Sequence, residues 1–281
     1  MNCTLTIHKL FKIAMKQAFY LALSVVAVSS SFAQDSTKIQ PCEIALKEYP
    51  VLYQQQAAEY RALCYQAFNI ATLRLNAITK GKVSGKKLAI ITDLDETILD
   101  NSFQQAELIK RSEEYSEKLW KEWSDLSAAP AVPGAVEFLQ LVKRKGVTVF
   151  YISNRDTSEL KSTLANLIKL KLPNADMNHM LFLSSTSSKE ARRQIVLRKY
   201  NVIMLLGDNL NDFMQTFEKK PVAERKTEVD RVRQEWGKKF IVLPNAYYGE
   251  WENAIYDYQR NLSPEEREAK RREKLNGYTN K

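Results

Sequence analysis

Two aspartates close an apolar run in the string AIITDLDETILDNS, residues 89–102. Asp93 and Asp95 stand two positions apart, and Glu96 and Asp100 follow at once. An ionised carboxylate buried without a partner is costly, so the doublet needs a chemical reason. Covalent catalysis supplies one: a carboxylate attacks, and a neighbour on the same strand end moves the proton. Matching groups follow the later apolar runs. Ser153, Asn154 and Arg155 come after VTVFYI, Lys189 opens a helical stretch, and Asp208 and Asp212 lie in GDNLND after VIMLL. Four carboxylates at one edge cannot all stay ionised without a cation. Oxygen donors favour Mg²⁺, which keeps waters and takes a substrate phosphate. The edge therefore reads as a Mg²⁺–phosphate site. Singly, Asp, Ser and Asn are ordinary cap and turn residues; their order at successive strand ends is what favours a site.

The elements that must position these groups alternate along the chain. Strands are expected at 86–93, 147–153, 180–184, 202–208 and 240–244, each short and continuously apolar. Helices are expected at 157–171 and 188–200, and after the Pro-Gly turn in PAVPGAVEFLQLVKRKG. Further helical additions cover 42–80, 103–127 and 211–275, with a break near Pro221. This pattern predicts an α/β protein with a parallel sheet covered on both faces. In such sheets ligands bind beyond the carboxyl ends of the strands, where the polar groups collect. No glycine-rich phosphate loop of either common pattern occurs.

The strings Asp93-Leu94-Asp95-Glu96-Thr97, Ser153-Asn154, Lys189 and Gly207-Asp208-Asn209-x-x-Asp212 resemble the four motifs of haloacid-dehalogenase (HAD) superfamily phosphatases. The longer strings DLDETILDNS, AVPGAVEF, YISNRD, GDNLNDF and LPNAYYGEWE are similar to one branch, the class C bacterial acid phosphatases, including the lipoprotein e family. The similarity covers roughly residues 50 to 260. It implies a Rossmann-like core with a smaller α-helical cap domain. It also implies that Asp93 is the nucleophile and Asp95 the acid and then the base. Mg²⁺ would be held by Asp93, the backbone carbonyl of Asp95, and Asp208, with Asp212 supporting the metal's shell. Ser153, Asn154 and Lys189 would bind phosphate oxygens. In the lipoprotein e relatives, aromatics at the places of Trp120 and Tyr248 sandwich a nucleotide base; Trp123 and Trp251 are expected to pack in the core. Thr186 stands where some relatives carry a second lysine, and the lipid-modified cysteine of the lipoprotein members is absent.

Composition limits the other classes. Apart from His179, the only histidine is His8, so triads and histidine-rich zinc sites would rest on a single residue. Residues 1–33 combine Lys9, Lys12 and Lys16, no acid, an apolar stretch and the small-x-small end Ser31-Phe32-Ala33. That is the layout of a secretory signal peptide, which predicts export to the periplasm or medium, without a lipid anchor. Its removal takes the formal charge from +9 to +6. The basic residues lie among acidic ones, as in SPEEREAKRREKLNG, which reads as a solvated helix and not a nucleic-acid arm. Cys42 and Cys64 could be bridged only if Pro50 breaks the helix between them.

The expectation is an exported, Mg²⁺-dependent acid phosphatase acting through an aspartyl-phosphate on nucleoside monophosphates and other small esters. A phosphotransferase using the same intermediate is the first alternative, and a ligand-binding surface protein on the same fold the second. The partner is a small phosphate ester, with no nucleic-acid polymer; a homo-oligomer is left open.

Overall fold

Five short strands form one parallel sheet in the order β3-β2-β1-β4-β5. They are β1 (Leu88–Thr92), β2 (Thr148–Ile152), β3 (Met180–Leu181), β4 (Asn201–Gly207) and β5 (Phe240–Val242). The structure is a computed structural model that describes residues 43–81, 85–183 and 185–278. The expected leader, residues 1–33, and Cys42 lie outside those residues. The chain turns back after β3 and lays β4 against the other side of β1, so the strand order reverses between β1 and β4. That switch point is where open α/β sheets bind ligands, and Asp93 and Asp208 follow directly on those two strands.

Burial on both faces explains why the strands read as unbroken apolar runs. Ile90, Val149, Tyr151 and Leu206 belong to one core, with Phe68, Leu75, Phe138 and Leu139. Ala89, Ile91, Phe150 and Leu205 belong to the other, with Val196, Phe213 and Phe217. On β4 the alternation skips: Ala89 pairs with Val202, but Ile90 pairs with Met204. The extra residue, Ile203, is a β-bulge that inverts the side-chain parity beyond it. It thereby sets which face each later residue of β4 presents.

The helices are α1 (Glu48–Gln56), α2 (Ala58–Ile78), α3 (Ser102–Arg111), α4 (Glu117–Asp125) and α5 (Ala135–Arg144). They continue as α6 (Leu160–Lys169), α7 (Glu190–Lys199), α8 (Val222–Arg231), α9 (Glu250–Ile255) and α10 (Pro264–Lys274). Pro50 does not break the first of these. It sits in the first turn of α1, where its missing N–H costs nothing, and the break falls at Ala57, whose ψ is 126°. Cys64 is a buried free thiol, pushed up to about 11 by burial above all.

The helical stretch expected over 103–127 is made of two helices. α3 ends at Ser112 in the left-handed conformation (φ 54°), and α4 restarts at Ser116, whose side chain accepts the Leu119 N–H. The stretch after β4 differs more: 210–217 forms two short 3₁₀ turns, and only 222–231 is α-helix. The final charged helix is present, with Ser263 and Glu266 in a capping box. Among the described residues no helix is long and apolar enough to cross a membrane.

Candidate active site

The switch point brings three carboxylates together. One oxygen each of Asp93, Asp208 and Asp212 lies within 4.8 Å of the others. Asp93 is set by the sheet itself, its N–H donating to the Leu206 carbonyl at 3.0 Å. Asp212 is turned inward by the 3₁₀ turn after β4, its Oδ2 accepting the Asn209 N–H at 3.0 Å. This return needs Gly207: a Cβ there would stand 2.4 Å from the Asp212 side chain. Asp208 is held from two sides, accepting from Asn245 Nδ2 at 2.8 Å and Thr97 Oγ1 at 3.2 Å.

Lys189 opens α7 beneath this cluster. Its Nζ stands 2.6 Å from Asp93 Oδ1 and 2.6 Å from Asp212 Oδ1, all three side chains nearly inaccessible. Lys189 thus offers its charge to both carboxylates, with the better-aligned hydrogen bond going to Asp212. Burial pushes the Asp93 carboxyl up; Lys189 opposes it, Asp212 and Asp95 add to it, and the result is about 7. Burial, Asp212 and Asp93 likewise hold Asp208 well above the ordinary range. Three carboxylates against one ammonium form an under-neutralised, oxygen-only donor set. Such a set fits a hard divalent cation, and Asp93, between Lys189 and the two other carboxylates, could serve as a ligand or nucleophile.

Asp95, two residues on, meets different company. Arg155 engages both its oxygens, with Nη2 at 2.7 Å and Nε at 3.0 Å from Oδ1 and Nε at 3.2 Å from Oδ2. Asn101 Nδ2 adds a bond at 2.9 Å and Ser153 Oγ one at 3.3 Å. Burial pushes Asp95 up, but the Arg155 charge and these hydrogen bonds outweigh it and hold the carboxyl below its usual range.

The remaining expected residues divide. Ser153 is buried beside Asp95. Asn154 gives its side chain to structure: Nδ2 donates to the Ser187 carbonyl at 2.9 Å, and Oδ1 accepts from Arg192 at 2.6 Å. Trp120 lies under the Arg155 guanidinium, 5.2 Å from ring centroid to Cζ. The Tyr248 hydroxyl donates to Glu96. Trp123 packs partly buried and donates to Asn101 Oδ1 at 2.8 Å. Trp251, expected in the core, is 42% exposed instead. Its ring follows Gly249 at the start of α9 and lines a cavity of about 430 Å³ beside Asp208, with Tyr248, Leu210, Val222 and Val229. His179 pairs with Asp176 at 2.8 Å, away from the carboxylates, as a structural residue does.

Several further residues, given no role from the sequence, brace the site. Glu96 is fully buried at φ 54°, accepts the Asn101 N–H at 2.7 Å, and is pushed up to about 7 by burial and by Asp95. A left-handed Glu in a buried loop is strained, and such strain concentrates at functional sites. Asn101 bridges Glu96 and Asp95. Arg192 ties the Ser153 carbonyl to the loop before α7 at 2.6 Å, and Arg193 ties α7 to the Asp212 carbonyl at 3.1 Å.

A parallel sheet carrying a carboxylate doublet after its first strand, and answering carboxylates after its fourth, defines the HAD type of phosphatase fold. The comparisons narrow it further: the family model for the HAD superfamily, subfamily IIIB (acid phosphatase), matches residues 9–251. The chain belongs to that family, and to the class C acid phosphatases within the superfamily. The class C acid phosphatase of Bacillus anthracis with tungstate bound is 38% identical, has a TM-score of 0.81, and covers 85% of this chain and 100% of its own. A second structure of that enzyme is 38% identical with a TM-score of 0.80, over 84% of this chain and 99% of its own. The stem 31 kDa glycoprotein of Glycine max is 27% identical over 135 residues, 44% of this chain. That match spans about half the length of the soybean protein, 51%.

Proposed function

We propose that the protein is an exported, Mg²⁺-dependent phosphomonoesterase that hydrolyses nucleoside monophosphates and other small phosphate esters through a phosphorylated Asp93. The observation that carries this is the contrast at one strand end. Asp93 shares the Lys189 ammonium with Asp212 and lies beside Asp208, while Asp95 is placed by the Arg155 fork.

The steps follow from those placements. Asp93 attacks phosphorus as the ester P–O bond breaks. Asp95, entering the step in its protonated form, which the Arg155 charge makes scarce outside acid, delivers that proton to the departing oxygen. Asp95 then takes a proton from water as that water attacks phosphorus, and phosphate leaves Asp93 restored. Asp93, the Asp95 backbone carbonyl and Asp208 would hold Mg²⁺, with Asp212 and Lys189 ordering them. When bound, the ion offsets repulsion between an anionic nucleophile and an anionic ester. Lys189, whose ammonium has a third N–H, and Ser153, beside Asp95, would meet phosphate oxygens. Asn154 serves more as a brace for that loop, because both ends of its amide are engaged. Tungstate is tetrahedral and anionic like phosphate, so its binding by the Bacillus anthracis relative supports an oxyanion site.

The leader-like residues 1–33 support export. Tyr248, which lines the cavity beside Asp208, supports a base-bearing substrate. A phosphate-release screen over nucleoside monophosphates, sugar phosphates and glycerol phosphate, with and without Mg²⁺ after chelation, tests the proposal. Release from esters only when Mg²⁺ is present is the expected outcome. Full activity after exhaustive chelation, or none on any ester, contradicts it.

A further inference from the structure

Arg155 is the most completely held charge on the proton-transfer side of the site. Its side chain is 2% exposed, against 16% for Asp95. The fork of Nε and Nη2 grips Asp95, and Nη1 donates to Thr163 Oγ1 of α6 at 3.0 Å. Its own N–H donates to Ser153 Oγ at 3.1 Å, so the same hydroxyl that meets Asp95 also fixes the Arg155 backbone. The guanidinium then lies over the Trp120 ring. A planar fork sets the plane of a carboxylate as well as its distance, which a single ammonium cannot do. An aromatic face in turn holds a guanidinium flat.

The ring face under Arg155 is therefore covered by protein. The helix that supplies Trp120, α4, packs against α6, the helix that supplies Thr163. Outside Asp95 the guanidinium reaches Asn101 Oδ1 at 3.4 Å, and its contacts with Thr163 and Trp120 come from one pair of packed helices. That pair acts as a rigid mount for Asp95, which otherwise stands on the loop after β1.

We propose that Arg155 is the positioning residue for the Asp95 carboxylate, and that Trp120 serves the reaction as the platform of that guanidinium rather than as a ring stacked on a base. The inference rests on the acid/base role of Asp95. It departs from the base clamp at one point: losing the Trp120 ring should harm esters that contain no ring.

The test uses the full chain with Mg²⁺ and three substrates: glycerol phosphate, a nucleoside monophosphate and nitrophenyl phosphate. Arg155→Met and Arg155→Lys should each lower kcat about 10²-fold on the first two, as loss of a placed general acid does. Nitrophenyl phosphate, whose leaving group is stable as an anion, should lose less than about 10-fold. Trp120→Ala should follow the same pattern at about 10-fold, and Trp120→Phe should restore it. In the Arg155→Met background Trp120→Ala should add little, since the two act as a unit.

The Arg155 Nε–H resonance gives a readout independent of turnover. It should shift on Asp95→Asn and on Trp120→Ala, but not on Tyr248→Ala. If Arg155→Met fails to fold, the Trp120 pair and Arg155→Lys carry the test. A Trp120→Ala protein that loses only nucleoside monophosphate affinity, with glycerol phosphate untouched, overturns the inference in favour of the clamp. So does an Arg155→Met protein slowed equally on all three esters. An unsubstituted protein that frees phosphate from no ester overturns the phosphatase proposal itself, and this inference with it. An active protein with unaffected Arg155 variants overturns only the inference.

Discussion

Asp93 and Asp95 leave the same strand two residues apart, yet their surroundings are opposite. Asp93 shares Lys189 with Asp212 and lies beside Asp208, so its cluster carries more negative charge than the chain neutralises. Asp95 is matched by Arg155 and further held by Asn101 and Ser153. The first is pushed up to about 7 and the second held low. One side of the doublet is thus unfinished without a cation, and the other is complete in protein. Pairs of carboxylates whose environments push them apart mark a division of labour; on the mechanism proposed above it lies between a metal-and-phosphate half and a proton-handling half.

Removing the nucleophile should have the largest effect. Asp93→Asn should lower turnover on every ester by more than about 10³-fold, because an amide cannot form the covalent intermediate. Initial rates on alkyl and aryl esters check this, and a substrate-selective loss would break the assignment. Asp95→Asn should come next, losing about 10²–10⁴-fold on alkyl esters and much less on nitrophenyl phosphate. Equal losses on all esters would remove the proton role and with it the comparison.

Asn245 reaches the metal half only through Asp208. Asn245→Ala should weaken Mg²⁺ activation by about 10–100-fold, the usual cost of losing a group that orients a metal ligand. Titration of activity with Mg²⁺ measures it, and the melting temperature in chelator should barely move.

The smallest effect expected is thermal. Asp93 is raised from an unfolded value near 3.9 to about 7. A carboxyl raised on folding contributes its full stability below the unfolded value, and loses it as pH rises through the folded one. Metal-free protein should therefore melt lower at pH 8 than at pH 5. Because Mg²⁺ competes with the proton, its stabilising effect should grow over the same window, to about 3 °C or more at saturation. A metal effect independent of pH in calorimetry would argue against Asp93 as a ligand.

Much of this was legible in the chain. Unbroken apolar runs gave five strands, and the polar residues after each run gave Asp93, Asp95, Ser153, Lys189, Asp208 and Asp212. What the sequence left open depends on reach and not on periodicity. Arg155 adjoins Ser153 and Asn154, but nothing in its spacing says that its fork crosses to Asp95. Thr97, Asn101 and Asn245 lie inside the quoted strings, but nothing in their spacing says that they serve Asp95 and Asp208. The turn at 210–217 read as helix because its apolar residues Leu210, Phe213 and Phe217 mimic helical spacing. Its actual path is set by Asp212 folding back over Gly207. Ser112 ends α3 in a left-handed conformation with no Gly or Pro to announce it. Trp251 was expected in the core, while Gly249, two residues earlier at φ 144°, starts α9 and Trp251 lines the cavity.

The central claim is that Asp93 takes the phosphoryl group while Asp95 manages the proton. Rapid acid quench of Asp95→Asn with a nitrophenyl ester and Mg²⁺, followed by peptide mass spectrometry, tests it most directly. This variant should form the intermediate on a good leaving group but hydrolyse it slowly, so the peptide spanning 88–102 should carry one phosphoryl group, located on Asp93. A quench that shows phosphate released in a burst with no phosphorylated peptide, or the phosphoryl group on any other residue, would contradict the account.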